Sequence, residues 1–177
     1  MGSYSSRFMF TGKISNMITI RPIRNEEIPA VKHIIYQVAY NIFGFDGTLE
    51  DSIRYYTDLG ILNDMDDVQA HYFNNGGTFL VVLNGEQVLG SGALRKLDED
   101  TAELKRMWLL EAWHGQGIGY RLISKLTHFA KEKGYAQIRL QTSPEQIRAL
   151  GFYRNIGFYE IPCYNDDVGE ISMEIQV

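Results

Sequence analysis

Hydrophobic positions change their period several times along this chain, and each change marks an element. Ile18-Thr19-Ile20-Arg21 alternates and is rich in β-branched residues, which predicts a strand closed by Pro22. Ile28, Val31, Ile34, Ile35, Val38 and Ile42 recur at steps of three, four and one, predicting an amphipathic helix that ends at Gly44. Asn25 is its expected cap, with Glu26 and Glu27 near its positive end. Beyond a loop over 44–48, short helices are expected around 49–57 and 64–73, and Asn74-Asn75-Gly76-Gly77 breaks the pattern.

The period then drops to two. Strands are expected at 78–83 and 87–94 about the hairpin signal Asn84-Gly85, and at 101–110 after the polar turn Asp98-Glu99-Asp100. A helix follows the junction at 109–117 and runs to about Lys133. Its apolar face is Ile118, Leu122, Ile123, Leu126, Phe129 and Ala130, and Gly134 stops it. With a strand at 137–141 this makes a β–α–β unit whose strands run parallel. A helix over 145–155 and strands at 157–162 and 168–176 close the chain. The expected fold class is α/β of the α+β kind: a mixed, mostly antiparallel sheet, helices on both faces and a central β–α–β unit.

Composition narrows the function classes. The 177 residues are 45% hydrophobic and 22% charged, an ordinary globular balance, and no repeat or low-complexity tract divides them. A net charge of −5 argues against a nucleic-acid partner. One cysteine, Cys163, allows no intrachain disulfide, and no apolar run reaches the roughly 20 residues of a membrane span. A cytoplasmic protein without membrane attachment is therefore expected. Residues 1–16 read as an N-terminal extension or tag remnant, and 17–177 as one domain. His33, His71, His114 and His128 lack ligand spacing, so no metal is expected.

The chemistry concentrates at His114-Gly115-Gln116-Gly117-Ile118-Gly119, between a strand and an amphipathic helix. Glycines there let backbone approach a phosphate, while the first helical turn offers unpaired amides and a positive dipole end. Tyr120 stands where a dinucleotide fingerprint needs a further glycine, and the Gly-Lys-Ser/Thr of a nucleotide loop is absent. The segment from Glu103 to Leu109, followed by Ala112 to Gly119, closely resembles the acetyl-CoA signature of the GNAT acetyltransferase superfamily. Gln146-Ile147-Arg148-Ala149 through Tyr153 to Gly157-Phe158 is similar to its second signature. His114 departs from the family's Arg or Gln, making a charge beside the pyrophosphate pH-dependent or absent. Gln146 departs from its Asn.

The resemblance implies transfer of acetyl from acetyl-CoA, as co-substrate, to a primary amine by direct attack. Backbone groups of Met107 and Leu109 would pair with the pantetheine arm and thioester. Amides of His114, Gly115, Gln116, Gly117, Ile118 and Gly119 would hold the pyrophosphate, with Gln146 and Tyr153 beside the cofactor. Tyr153 is the implied acid for the departing thiolate and Glu103 the candidate base, with Glu111 second. The acceptor site is expected from Phe43 to Thr48 and from Pro162 to Asp167, where Phe45, Asp46, Tyr164, Asp166 and Asp167 would attract a small amine or amino acid. A protein or peptide acceptor and a non-catalytic acyl-CoA-binding regulator are the alternative readings. A homodimer through the closing strands is a further expectation.

Overall fold

The computed structural model describes residues 18–165 and 169–177. The extension expected over 1–16, Met17, and the expected acceptor residues Asp166 and Asp167 lie outside that range. Among the described residues seven strands form a single sheet in the order β1-β2-β3-β4-β5-β7-β6. They are β1 (Ile18–Pro22), β2 (Thr78–Asn84), β3 (Gln87–Lys96), β4 (Thr101–Leu109), β5 (Gln137–Thr142), β6 (Tyr159–Ile161) and β7 (Ile171–Gln176). Every pairing is antiparallel except β4 with β5. That parallel pair is joined by α4 (Ile118–Lys133), completing the expected β–α–β unit. At Gly90, β3 approaches β4 so closely that a Cβ would stand 2.2 Å from the Trp108 carbonyl oxygen.

Strand alternation sorts the apolar residues into two cores. Ile18, Ile20, Leu80, Val82, Leu94, Ala102, Leu104, Ile138, Leu140 and Met173 pack under α4 and α5 (Ile147–Asn155). Phe79, Val81, Leu83 and Ala93 face the other way, against α1 (Ile28–Phe43) and the segment carrying Leu62, Met65, Val68 and Tyr72. α2 (Leu49–Asp58) and the four-residue α3 (Val68–His71) belong to this second layer. Beyond it, over β4, β5 and β7, the sheet face is polar: Glu103 binds Arg95, and Arg139 binds Glu174 at 2.7 Å. Among the described residues no helix is long and apolar enough to cross a membrane.

The expected helix at 64–73 is broken. Asp67 accepts from the Ala70 amide and starts α3, while short 3-10 turns at Asn63–Met65 and Phe73–Asn75 flank it. The lead-in to α1 begins one residue before Asn25. Glu27 accepts from the Arg24 amide at 2.9 Å, a box that leaves Asn25 inside the turn instead of capping it. β6 is three residues long, shorter than the expected 157–162, because Gly157 and Phe158 still bond back into the end of α5.

Candidate active site

The site begins with a fault in β4. Strict alternation along Ala102, Leu104, Arg106 and Trp108 would drive an arginine into the α4 core. Instead the β3–β4 register slips between Ser91 and Ala93, inserting one extra residue into β4. Past the slip, Met107 and Leu109 pack on the α4 core while Trp108 joins the α1 side. Arg106 absorbs the bend with φ 53°, the one positive φ outside glycine among the described residues. For an L side chain that conformation costs about 1–2 kcal/mol. Four contacts hold it: Arg106 Nε lies 3.0 Å from Asp64 Oδ2 and its Nη2 bonds Asp64 Oδ1. Nη2 also donates to the Ile61 carbonyl at 2.9 Å, and Ser91 Oγ donates to the Arg106 carbonyl at 2.8 Å.

Just before the fault, β4 leaves β5. The two strands pair only at Thr101–Gln137, Ala102–Ile138 and Glu103–Arg139. Leu110 N–H still donates to Leu89 on the β3 side at 2.9 Å. Because backbone groups alternate along a strand, the polar groups of Leu109 face away from β3, into the gap. An extended chain with amide groups fits that gap as an added strand.

The gap leads to the start of α4. Gly117 is its N-cap at φ 75°, left-handed backbone that glycine adopts freely. No side chain caps the helix and no acidic residue sits in its first turn, so its amides stay available to an anion. His114 is turned back: its Nε2–H donates to the Leu109 carbonyl at 2.9 Å. Its Nδ1 is buried without a partner among the described residues. The imidazole expected beside a pyrophosphate thus also ties the end of β4 to the glycine turn. Gln146 accepts from Thr142 Oγ1 at 2.7 Å and from the Ser143 amide at 3.2 Å, using its carbonyl oxygen to shape the start of α5.

These parts line one cleft of about 850 Å³, walled by Met107 to Leu110, the glycine turn, Gln146, Phe152 and Tyr153. Tyr153 is 7% exposed, edge-on to Phe152 and tilted against Phe158, and burial pushes its phenol up, so it stays protonated at neutral pH. Glu111 and Glu145 also border the cleft.

Glu103 lies elsewhere. It is 1% exposed on the opposite sheet face, with Arg95 Nε at 2.6 Å, Lys105 Nζ at 4.0 Å and the Tyr164 hydroxyl donating at 3.1 Å. It is absent from the cleft lining. The expected acceptor loops differ too. Phe45 packs on Tyr55 and Tyr56, and Tyr164 is committed to Glu103 and lies over Arg139. The far wall of the cleft is instead α1, through Gln37, Val38, Asn41 and Ile42. Of these, Val38 and Ile42 were expected only as part of an apolar helix face, and Gln37 and Asn41 carried no expectation.

The family model described as Acetyltransferase (GNAT) family matches residues 42–158. The chain belongs to the GNAT family. Among its relatives, N-acetyltransferase 8B of Homo sapiens is 32% identical over 109 residues, 58% of this chain and 48% of that protein. N-acetylaspartate synthetase of Danio rerio is 30% identical over 108 residues, 60% of this chain and 38% of that one. The matched region therefore spans less than half the length of these relatives. The crystal structure of paia N-acetyltransferase from Thermoplasma acidophilum in complex with coenzyme A superposes with a TM-score of 0.70. It is 23% identical, covering 90% of this chain and 99% of the other, which shows the GNAT fold.

The slipped β4, its divergence from β5 and the open start of α4 together fit a long acyl carrier with a diphosphate. Asp64 and the α1 wall escaped sequence reasoning. The signal for Asp64 was an arginine at an inward position of β4, which demands a carboxylate from elsewhere in the chain.

Proposed function

We propose that this chain transfers an acetyl group from acetyl-CoA to the primary amine of a small metabolite or amino acid. The observation that carries the reading is the convergence, in one cleft, of the end of β4 that β5 leaves unpaired, the uncapped start of α4 and Tyr153. Amides from Gly115 to Gly119 hold the diphosphate. Met107 and Leu109 supply backbone partners to the pantetheine arm, and the Leu109 amide stabilises charge developing on the thioester oxygen, worth roughly 3 kcal/mol in comparable sites.

The neutral amine nitrogen adds to the thioester carbonyl carbon, the C–S bond then breaks as Tyr153 gives its proton to the departing sulfur, and the second nitrogen proton returns through water to the Tyr153 phenolate. The amine, with an ordinary pKa of about 10.4, must first lose a proton. Glu111 borders the cleft and takes that proton, through water at the open mouth. Glu103 reaches the cleft only by relay, because Arg95 and the Tyr164 hydroxyl already occupy both its oxygens. The α1 wall, with Gln37 and Asn41 among apolar neighbours, receives the acceptor. The partial match to N-acetylaspartate synthetase supports an amino acid as acceptor class.

The test is release of coenzyme A from acetyl-CoA across amino acids, polyamines and short peptides. Tyr153→Phe is expected to lower kcat about 10²-fold with little change in acetyl-CoA affinity. Glu111→Gln should lower it more than Glu103→Gln. A wild-type protein that binds acetyl-CoA yet releases no coenzyme A with any acceptor sinks the reading.

A further inference from the structure

The one left-handed backbone outside glycine among the described residues lies one residue before the cleft, and its anchor comes from 42 residues earlier in the chain. Asp64 sits in a 3-10 turn fixed by its neighbours: Leu62 is 2% exposed, Met65 0%, Val68 3% and Tyr72 0%. Tyr72, edge-on to Phe79 at 5.0 Å, donates its hydroxyl to the same carboxylate. Burial alone would raise the Asp64 carboxyl, but the Arg106 guanidinium and the Tyr72 hydroxyl hold it below its ordinary range, so the pair is ionic at neutral pH.

An ion pair this enclosed adds little net stability, because desolvation offsets the attraction. What it fixes is geometry. Its two-pronged grip and the bond to the Ile61 carbonyl hold Arg106 in a conformation its own side chain disfavours. Relaxing Arg106 to an extended conformation would remove the extra residue of the bulge, and Met107 and Leu109 would exchange faces with Trp108.

We infer that Asp64 and Arg106 are positioning residues for acyl transfer, an ion pair that holds the β4 bulge and thereby aims the Met107 and Leu109 backbone at the thioester. The inference rests on the acetyltransferase reading for its kinetic consequence but not for its structural one. Asp64 and Arg106 do not line the cleft, so they act on the thioester through the β4 backbone and not by touching the cofactor.

Two measurements test it. The first is made on ligand-free protein: the Cα and Cβ chemical shifts of Arg106 report left-handed backbone and should move to extended values in Asp64→Ala, while those of Leu122 to Leu126 in α4 stay put. The second compares Asp64→Asn, Arg106→Ala and Arg106→Gly. Asp64→Asn and Arg106→Ala should lower kcat about 10²-fold, as misplacement near 1 Å does elsewhere, with a clearly smaller rise in the acetyl-CoA Kd because most of the cofactor is held elsewhere in the cleft. Arg106→Gly also loses the ion pair but adopts positive φ freely, so it should recover part of that loss.

Unchanged Arg106 shifts in Asp64→Ala overturn the inference. So does a fall in kcat matched by an equal rise in Kd, or Arg106→Gly no better than Arg106→Ala. A wild type without turnover would remove the acetyltransferase reading, and the chemical shifts would still decide whether the pair holds the bulge.

Discussion

Two helices of this protein solve the same problem in opposite ways. Both α2 and α4 begin with amides that have no partner inside the helix. At α2, Thr48 Oγ1 accepts from the Asp51 amide at 3.2 Å, and Asp51 Oδ2 accepts from the Thr48 amide at 3.2 Å and its hydroxyl at 2.8 Å. Glu50 and Asp51 add negative charge to the first turn. At α4 the cap is left-handed Gly117, no side chain bonds the amides and no acid stands in the first turn. α2 has satisfied its own N-terminus. α4 forgoes that stabilisation, about 1 kcal/mol for a typical cap, and leaves its amides open for the diphosphate that we propose they bind.

The sharpest way to break the contrast is to give α4 what α2 has. Tyr120 is the third residue of α4, 63% exposed at the cleft edge. Tyr120→Glu should stabilise the helix, raising Tm by about 1–3 °C, while weakening acetyl-CoA binding about 10- to 100-fold. Opposite signs on stability and affinity are the signature. Tyr120→Gln controls for the lost ring, and the gap between the two variants should shrink at high salt. Equal affinities for the Glu and Gln variants would show that the phosphates do not lie over this turn.

The converse change is smaller. Thr48→Ala removes the hydroxyl half of the α2 box and should cost about 1 kcal/mol, or about 2–4 °C in Tm. Acetyl-CoA affinity should not change, since Thr48 is not part of the cleft lining. A weakened Kd would mean that α2 and the cleft are coupled through α1.

The same contrast explains what the sequence revealed and what it hid. The glycine turn was legible because its chemistry is local: Gly117, the absence of acids after it and the amphipathic face from Ile118 to Ala130 are neighbours in the chain. The β–α–β unit was legible from its change of period. The bulge was not, because β4 carries no glycine at the bend, and the cause of Arg106's φ is a carboxylate far away in sequence. Glu103 shows the same limit. Its position on β4 followed from alternation, but its enclosure by Arg95 and Tyr164 depends on two further segments meeting over it. The helix expected over 64–73 failed for a related reason: Met65, Val68 and Tyr72 are all buried at helical spacing, yet Asp67 restarts the turn and divides it.

A pH series sharpens the comparison further, with the smallest effect. The Thr48 hydroxyl and amide hold the Asp51 carboxyl below its ordinary value. A carboxylate whose pKa is lower folded than unfolded adds stability that is present above the unfolded value, about 3.9, and is lost as pH falls through the folded one. The Tm deficit of Thr48→Ala should therefore be full above about pH 5 and narrow below about pH 4, where wild type loses the charge that Thr48 was holding. The gain from Tyr120→Glu should vanish over a similar acid range, because it too depends on a carboxylate at a helix start. Thermal melts from pH 7 to pH 3 read both. A deficit that stays flat would assign the α2 cap to the Thr48 hydroxyl alone, and the two helix starts would then differ by a single neutral hydrogen bond and not by charge.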